Sequence, residues 1–339
     1  MRRIIAILFI GVLLVSCGRK TAGKAVSNNQ FTTDVLLKTT PVKDQGRSDL
    51  CWDYAMLATM ETEHLMQGDS VNLSPDYVAR RLIEEQADRL YLTHRGTVSL
   101  HGVAPMLLRL INTYGLNHYD AFHCDSTTDY HVICRKVMQM ARGSITLNQF
   151  NQRMGELLDR EIHAAIPRVY MLGAVYTPLE FAHSVCRPGE YTAYTSFTHH
   201  PFGEPFALEV PDNRYGDTFM NVPIDSLMSI IINNVRHGHP VCWEGDVTED
   251  GFSFQLGTAD IDEPIPLGEV QEERQREFEH HLTTDDHCME IVGIAHNKES
   301  QPYFIMKNSW GSCNPYHGFM YVSFDNVRMK TIAIVAHSL

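Results

Sequence analysis

Near residue 200 the chain changes texture, and that change limits what it can fold into. Before it, apolar residues recur at helical spacing. Cys51 to Gln67 presents Ala55, Leu57, Ala58, Met60 and Leu65, with Gly68 as a stop. Ser74-Pro75 starts a second helix running to about Leu90, and Val103 to Tyr114 makes a third, closed by Gly115. Residues 129–143 and 151–172 read as helices too. After the change come short β-type runs: Phe206–Val210, Pro240–Trp243, Met289–Ala295, Tyr303–Lys307, Phe319–Phe324 and Thr331–Ala336. One helix, Pro223 to His237, interrupts them, and the acidic, proline-containing stretch Ala259–Asp286 reads as a loop. A helical half followed by a β-rich half predicts an α+β fold of two lobes.

Composition narrows the function classes. Of 339 residues, 44% are hydrophobic and 20% charged, as in a globular protein. Lys and Arg number 28 against 41 Asp and Glu, a net charge of −13. No nucleic-acid partner is expected, because such surfaces need clustered positive charge. Eight cysteines are too few for a disulfide-built scaffold.

The N-terminus reads as an export signal. Met1-Arg2-Arg3 precedes an apolar run from Ile4 to Val15, too short to span a bilayer. Leu14-Val15-Ser16-Cys17 resembles the bacterial lipobox, in which the leader is cut before a cysteine that is then lipid-modified. The expected organisation is a signal peptide over 1–16, a lipid-anchored tether over 17–34, a helical lobe over 35–200 and a β-rich lobe over 201–339. The expected location is the bacterial cell envelope, outer membrane or periplasm-facing, with Cys17 holding the protein to the membrane.

Chemistry concentrates in Pro41-Val-Lys-Asp-Gln45-Gly-Arg-Ser-Asp-Leu-Cys51-Trp52. A thiol that opens a helix feels the positive end of the helix dipole, which favours the nucleophilic thiolate. Gln45 can donate its amide to a developing oxyanion beside the backbone N–H of Cys51. Far downstream lie Asp286-His287 and, 21 residues after His287, Asn308-Ser309-Trp310-Gly311. His287 can pair with the Cys51 thiolate, Asn308 can orient its ring, and Trp310 can shield that hydrogen bond.

In this order the motifs resemble the papain-type cysteine peptidases. The resemblance covers about residues 35–335 and implies a papain-like two-lobed fold, hydrolysis of peptides or proteins, and no cofactor. It makes Cys51, His287, Asn308 and Gln45 the catalytic residues. Gly102, in the segment Gly102 to Gly115, would let substrate backbone pair as an added strand, and His101, Asp286 and Trp310 join it as expected substrate-binding residues. The 236 residues from Cys51 to His287 exceed the roughly 130–150 of papain, so an enlarged helical insertion is expected. That excess resembles the bleomycin hydrolase and aminopeptidase C branch, as do Val222–Met228, Arg236–Val247 and Tyr194–Pro201. The branch implies aminopeptidase action through a C-terminal arm and a hexameric assembly. Here the chain ends at Leu339, just after the last expected strand, which brings dipeptidyl or endopeptidase action into consideration, and the export signal argues against the hexamer. The remaining alternatives are a non-catalytic surface lipoprotein and a different thiol acyl-transfer enzyme, such as an amidase or a transglutaminase-like protein.

No metal is expected. His123-Cys124 and His131-x-x-Cys134 fit no standard zinc spacing. Cys288 alternates with His287 along a strand and is expected to point away from the cleft into the core.

Overall fold

The computed structural model describes residues 30–124, 127–171, 173–261 and 265–338. The leader and Cys17 lie outside them. The first half supplies strand β1 (Phe31–Leu36) and helices α1 (Cys51–Gln67), α2 (Pro75–Thr93), α3 (Ala104–Tyr114), α4 (Tyr130–Gly143) and α5 (Leu147–Glu161). The hairpin β2 (Val169–Met171) and β3 (Ala174–Tyr176) follows, then α6 (Pro178–Val185) and β4 (Tyr191–Thr195). The second half carries β5 (Pro205–Ala207), β6 (Thr218–Asn221), α7 (Ile224–His237), β7 (Val241–Gly245), β8 (Phe252–Ser253) and β9 (Thr258–Ala259). It ends with α8 (Val270–Glu279), β10 (His287–Asn297), β11 (Pro302–Lys307), β12 (Phe319–Ser323), α9 (Phe324–Lys330) and β13 (Thr331–His337).

Most of the expected helices and strands form at close to their expected bounds, because they have their own local stops. Ser74 accepts the Tyr77 N–H ahead of Pro75, and Gly68 takes a left-handed φ of 90° that closes α1. All the strands but the β2–β3 hairpin, which stands apart, join one mixed sheet in the order β5-β6-β4-β13-β7-β10-β11-β12-β9-β8, with β1 added on β10. Strand β10 is its centre. Its first half pairs with β7 and its second half with β1, while β11 runs along the other side. Gly293 marks the changeover: a Cβ there would lie 2.5 Å from the Val35 carbonyl oxygen, so only glycine admits β1.

Two cores flank the sheet. One gathers α1 to α6 and takes Cys242, Cys288, Ile332, Ala333 and Val335 from the strands. The other packs Ile224, Leu227, Ile231 and Val235 of α7 against Trp243, Met289, Ile291 and Ile334. Side chains alternate across a strand, so one strand serves both cores.

Four expectations need correction. Residues 31–34, expected within the 17–34 tether, belong to β1, because Phe31 stacks on Tyr321 at 4.1 Å and meets Tyr303 edge-on, which ties β1 to the sheet. The helix expected over 151–172 runs instead from Leu147 to Glu161, and β2 follows just after Pro167, which removes a backbone donor. The β-rich half also begins earlier than 201, since β4 pairs with β13. Finally, the acidic stretch 259–286 contains helix α8. Its hold is polar rather than apolar, which is why hydrophobic periodicity does not reveal it: the buried Arg274 guanidinium donates to the carbonyls of Arg328, Met329 and Thr331. Burial brings the Arg274 pKa down to about 9. Arg274→Ala is expected to leave these carbonyls unpaired and to lower unfolding free energy by about 2–4 kcal/mol, read by urea denaturation.

Candidate active site

Cys51 is the first residue of α1, and the helix end in front of it is uncapped by any side chain. The first-turn N–H groups therefore act on the sulfur side unopposed, in the sense that favours thiolate. His287 opens β10, paired with Gly245 of β7. Asn308 follows β11, its N–H bound to the Gly318 carbonyl.

These three meet. His287 Nε2 lies 2.8 Å from Asn308 Oδ1. The same oxygen accepts the Ser309 N–H at 2.7 Å, so it is the carbonyl oxygen of the amide and His287 Nε2 must donate. That leaves Nδ1 of the ring for the thiol. Trp310 lies over the imidazole, with ring centroids 4.4 Å apart. Phe252 and Phe254 meet its edge. The His287–Asn308 bond is thus dry, with both residues buried, while Cys51 keeps partial exposure.

The Cys51 thiol sits well below its ordinary pKa. The largest cause is a hydrogen bond from Cys288, followed, against the opposing effect of burial, by hydrogen bonding and charge from His287. Cys288 is buried in the helical core, as expected. The expectation that it points away from the nucleophile fails, because α1 packs directly on β10 and the Cys51 sulfur reaches over to the face that Cys288 occupies. Cys288 itself is pushed well above its ordinary value by burial and by Cys51, so it stays a thiol and a donor.

The other expected site residues fall around this trio. Gln45 Nε2 donates to the Ser48 carbonyl at 2.8 Å and its Oε1 accepts from Ser309 Oγ at 2.6 Å, which fixes the amide between the α1 approach and the Asn308 turn. Gly102 lies against Trp52: a Cβ there would meet the Met106 methyl at 2.0 Å and the indole at 3.1 Å. Trp52 is fully buried and donates to the Leu100 carbonyl, so it braces the Gly102 segment. His101 is half-exposed between Asp49 and Asp212, each 3.2 Å away, and these partners raise its pKa to about 10. Asp286 is exposed and accepts from Thr284 Oγ1 at 3.0 Å.

Beneath the site lies a charged set that motif reading misses. Lys43 reaches Glu61 at 2.5 Å and the Leu73 carbonyl at 2.9 Å. Glu61 also accepts from Thr40 and from the Leu73 N–H. Lys307 donates to Thr40 and lies 3.6 Å from Glu290. The one hint in the sequence was Glu61 following the apolar stretch Ala55–Met60 of α1, and nothing local pairs it.

Among the described residues two clusters bring three ligating side chains within 4.8 Å: Glu63 with His239 and His337, and His199 with His200 and Glu209. Hydrogen bonds already join Glu63 to His239 and Glu209 to both of its histidines. Cys124 and Cys134 are free thiols, and His123 turns to Asp76.

Such a site, with a helix-borne thiol facing a strand-borne histidine across two lobes, is that of a papain-like fold. Residues 170–338 match the model of the Peptidase C1-like family. The crystal structure of PepW from Lactobacillus rhamnosis HN001 superposes with a TM-score of 0.69 at 17% identity, covering 91% of this chain and 82% of that one. Digestive procathepsin L 3 of Tenebrio molitor (16% identity, 92% and 72% coverage, TM-score 0.46) and the bromelain protease of Ananas comosus (13%, 89% and 94%, 0.44) fit more loosely. No curated protein matches the chain. The chain belongs to the papain-like, C1-like family of cysteine peptidases.

Replacing Cys288 by alanine removes the donor that most favours the Cys51 thiolate. The pH at which Cys51 becomes reactive is therefore expected to rise, as read from the pH dependence of iodoacetamide alkylation. An unmoved profile would mean that His287 alone sets the thiolate.

Proposed function

We propose that the chain hydrolyses peptide bonds through Cys51, His287 and Asn308. The observation that carries this is the 2.8 Å His287–Asn308 hydrogen bond, which commits Nε2 and leaves Nδ1 to the neighbouring Cys51 thiol. The Cys51 thiolate attacks the scissile carbonyl carbon. The resulting oxyanion is met by the Cys51 backbone N–H and by the second N–H of the Gln45 amide. The protonated His287 gives its Nδ1 proton to the leaving amine, and the acyl-thioester remains on Cys51. Water, deprotonated by His287, then releases the acid and restores the thiol. Asn308 holds the ring in one tautomer throughout, and Trp310 keeps water from that bond.

Substrate backbone would lie along the Gly102 segment, which Trp52 braces through the Leu100 carbonyl. Asp286 and His101 stand at the rim of this path. Within the family, the long segment between Cys51 and His287 favours action of the aminopeptidase C and bleomycin hydrolase kind, with dipeptidyl or internal cleavage as the second reading. A non-catalytic binding role is disfavoured by surroundings that pull the Cys51 thiol well below its ordinary pKa, which a mere binding module does not need.

Cys51→Ala is expected to abolish turnover of a mixed peptide library, followed by mass spectrometry, while leaving the thermal melt nearly unchanged. A peptidyl epoxide should label Cys51 in the unmodified chain. Retained turnover in the variant would refute the mechanism. Asn308→Ala should keep the nucleophile but lower kcat by about 10–100-fold, in the range typical of a group that positions a catalytic base.

We further propose that Cys17 carries lipid and fixes the enzyme to the bacterial envelope. In cells fed labelled palmitate the chain should take up label, and Cys17→Ala should not. Equal labelling of the two would remove the anchor from the account.

A further inference from the structure

Beside the nucleophile stand two carboxyl groups that the hydrolytic steps do not use. Glu244 lies on β7 directly opposite Cys288 of β10, so its side chain shares the face on which Cys288 meets Cys51. It is 1% exposed. Its Oε2 accepts the Ala104 N–H at 3.2 Å, two residues from Gly102 and the path proposed for substrate backbone. Its Oε1 is buried without a hydrogen-bond donor, and so is Oδ2 of Asp285, two residues before His287. The two carboxyl groups face each other. No Lys, Arg or His among the described residues lies within ion-pair distance of either. Asp212, whose negative charge also acts on both, is paired with His101.

Two buried carboxylates cannot both stay ionised without a cation. A shared proton meets the need: burial raises Glu244 to about 7 and holds Asp285 well above the usual carboxylate range. Both groups also feel the charge of Cys51, which places them at the reacting end of the cleft. A positively charged substrate group would replace that proton and supply the donors that Oε1 and Oδ2 lack.

We propose that Glu244 and Asp285 form a cation-binding subsite of the cleft that takes an alkylammonium group of the substrate, from a lysine side chain or from the free α-amino end of a peptide. This rests on the peptidase reading above and names the substrate class for that site. The subsite lies on the side of Cys51 bounded by Gly102 and Ala104. The ammonium would therefore come from within about two residues of the cleaved bond, given a rise of roughly 3.3 Å per extended residue. A neutral or acidic side chain entering there would leave both carboxyl groups unpaired or repelled, which is discrimination by an unmet buried polar group.

The test uses the full chain under reducing conditions and matched peptides that differ only in ammonium groups. One is N-acetylated with norleucine at both positions before the cleaved bond. A second is N-acetylated with lysine at one of them, and a third carries norleucine with a free N-terminus. An ammonium-bearing peptide should exceed the capped norleucine peptide in kcat/KM by about tenfold or more. Preference for the capped lysine peptide assigns the subsite to a side chain, and preference for the free N-terminus assigns it to the α-amino group. Glu244→Gln and Asp285→Asn should each shrink the preference to within about threefold, with thermal melts confirming a folded chain and either variant sufficing if the other fails to fold. Equal cleavage of all three peptides, or a preference that survives both substitutions, overturns the proposal. If no peptide is cleaved the peptidase reading falls, and calorimetric binding of the same peptides to Cys51→Ala decides the subsite. Ammonium-dependent binding that Glu244→Gln removes upholds it, and binding indifferent to the ammonium overturns it.

Discussion

Helix α1 must be held against strands β10 and β7 with its first residue in the cleft, and buried charge does the holding. Glu61 is fully buried within α1, which is tolerable only because Lys43, Thr40 and the Leu73 N–H converge on it. Thr40 passes the connection to Lys307 of β11, and Lys307 to Glu290 of β10. A shift of α1 along the sheet would strand several of these charges at once. Apolar packing around Trp52, Met56 and Met60 tolerates small slides better than such directional bonds do. The register between the Cys51 side and the His287 side of the cleft is therefore fixed by polar geometry below it.

Above that platform the cleft is electrostatically unusual. A thiol donor, Cys288, stands beside Cys51, with the Glu244 carboxyl on the neighbouring strand β7 and that of Asp285 just before β10. The donor favours the Cys51 thiolate, whereas negative charge on Glu244 and Asp285 opposes it. The two influences are reconciled while the pair retains its proton. On the proposed subsite, an approaching cation would relieve the same opposition and so favour the Cys51 thiolate.

Much of this was legible in the residue order. The spacing of Gln45, Cys51, His287 and Asn308 named the site, and capping residues such as Ser74 and Gly68 bounded the helices through bonds within a few positions. Strand β1 was missed because its partner, β10, lies more than 250 residues away and its pattern is mostly exposed. Helix α8 was missed because it is anchored by Arg274 to carbonyls over 50 residues downstream. Cys288 was placed in the core correctly but on the wrong side of the argument. Alternation along a strand says which face a side chain takes, and not which helix end will lie on that face.

The sequence by itself determined the α+β class, the helix stops and the identity of the thiol, imidazole and amide that meet in the cleft, because those follow from local spacing and side-chain chemistry. Only the tertiary structure decided what surrounds them. The Lys43–Glu61–Lys307–Glu290 set, the Cys288 donor and the facing Glu244 and Asp285 carboxyls join residues from separate strands and helices. Their charges and protons depend on burial and on partners brought close by folding, and neither quantity exists along the chain.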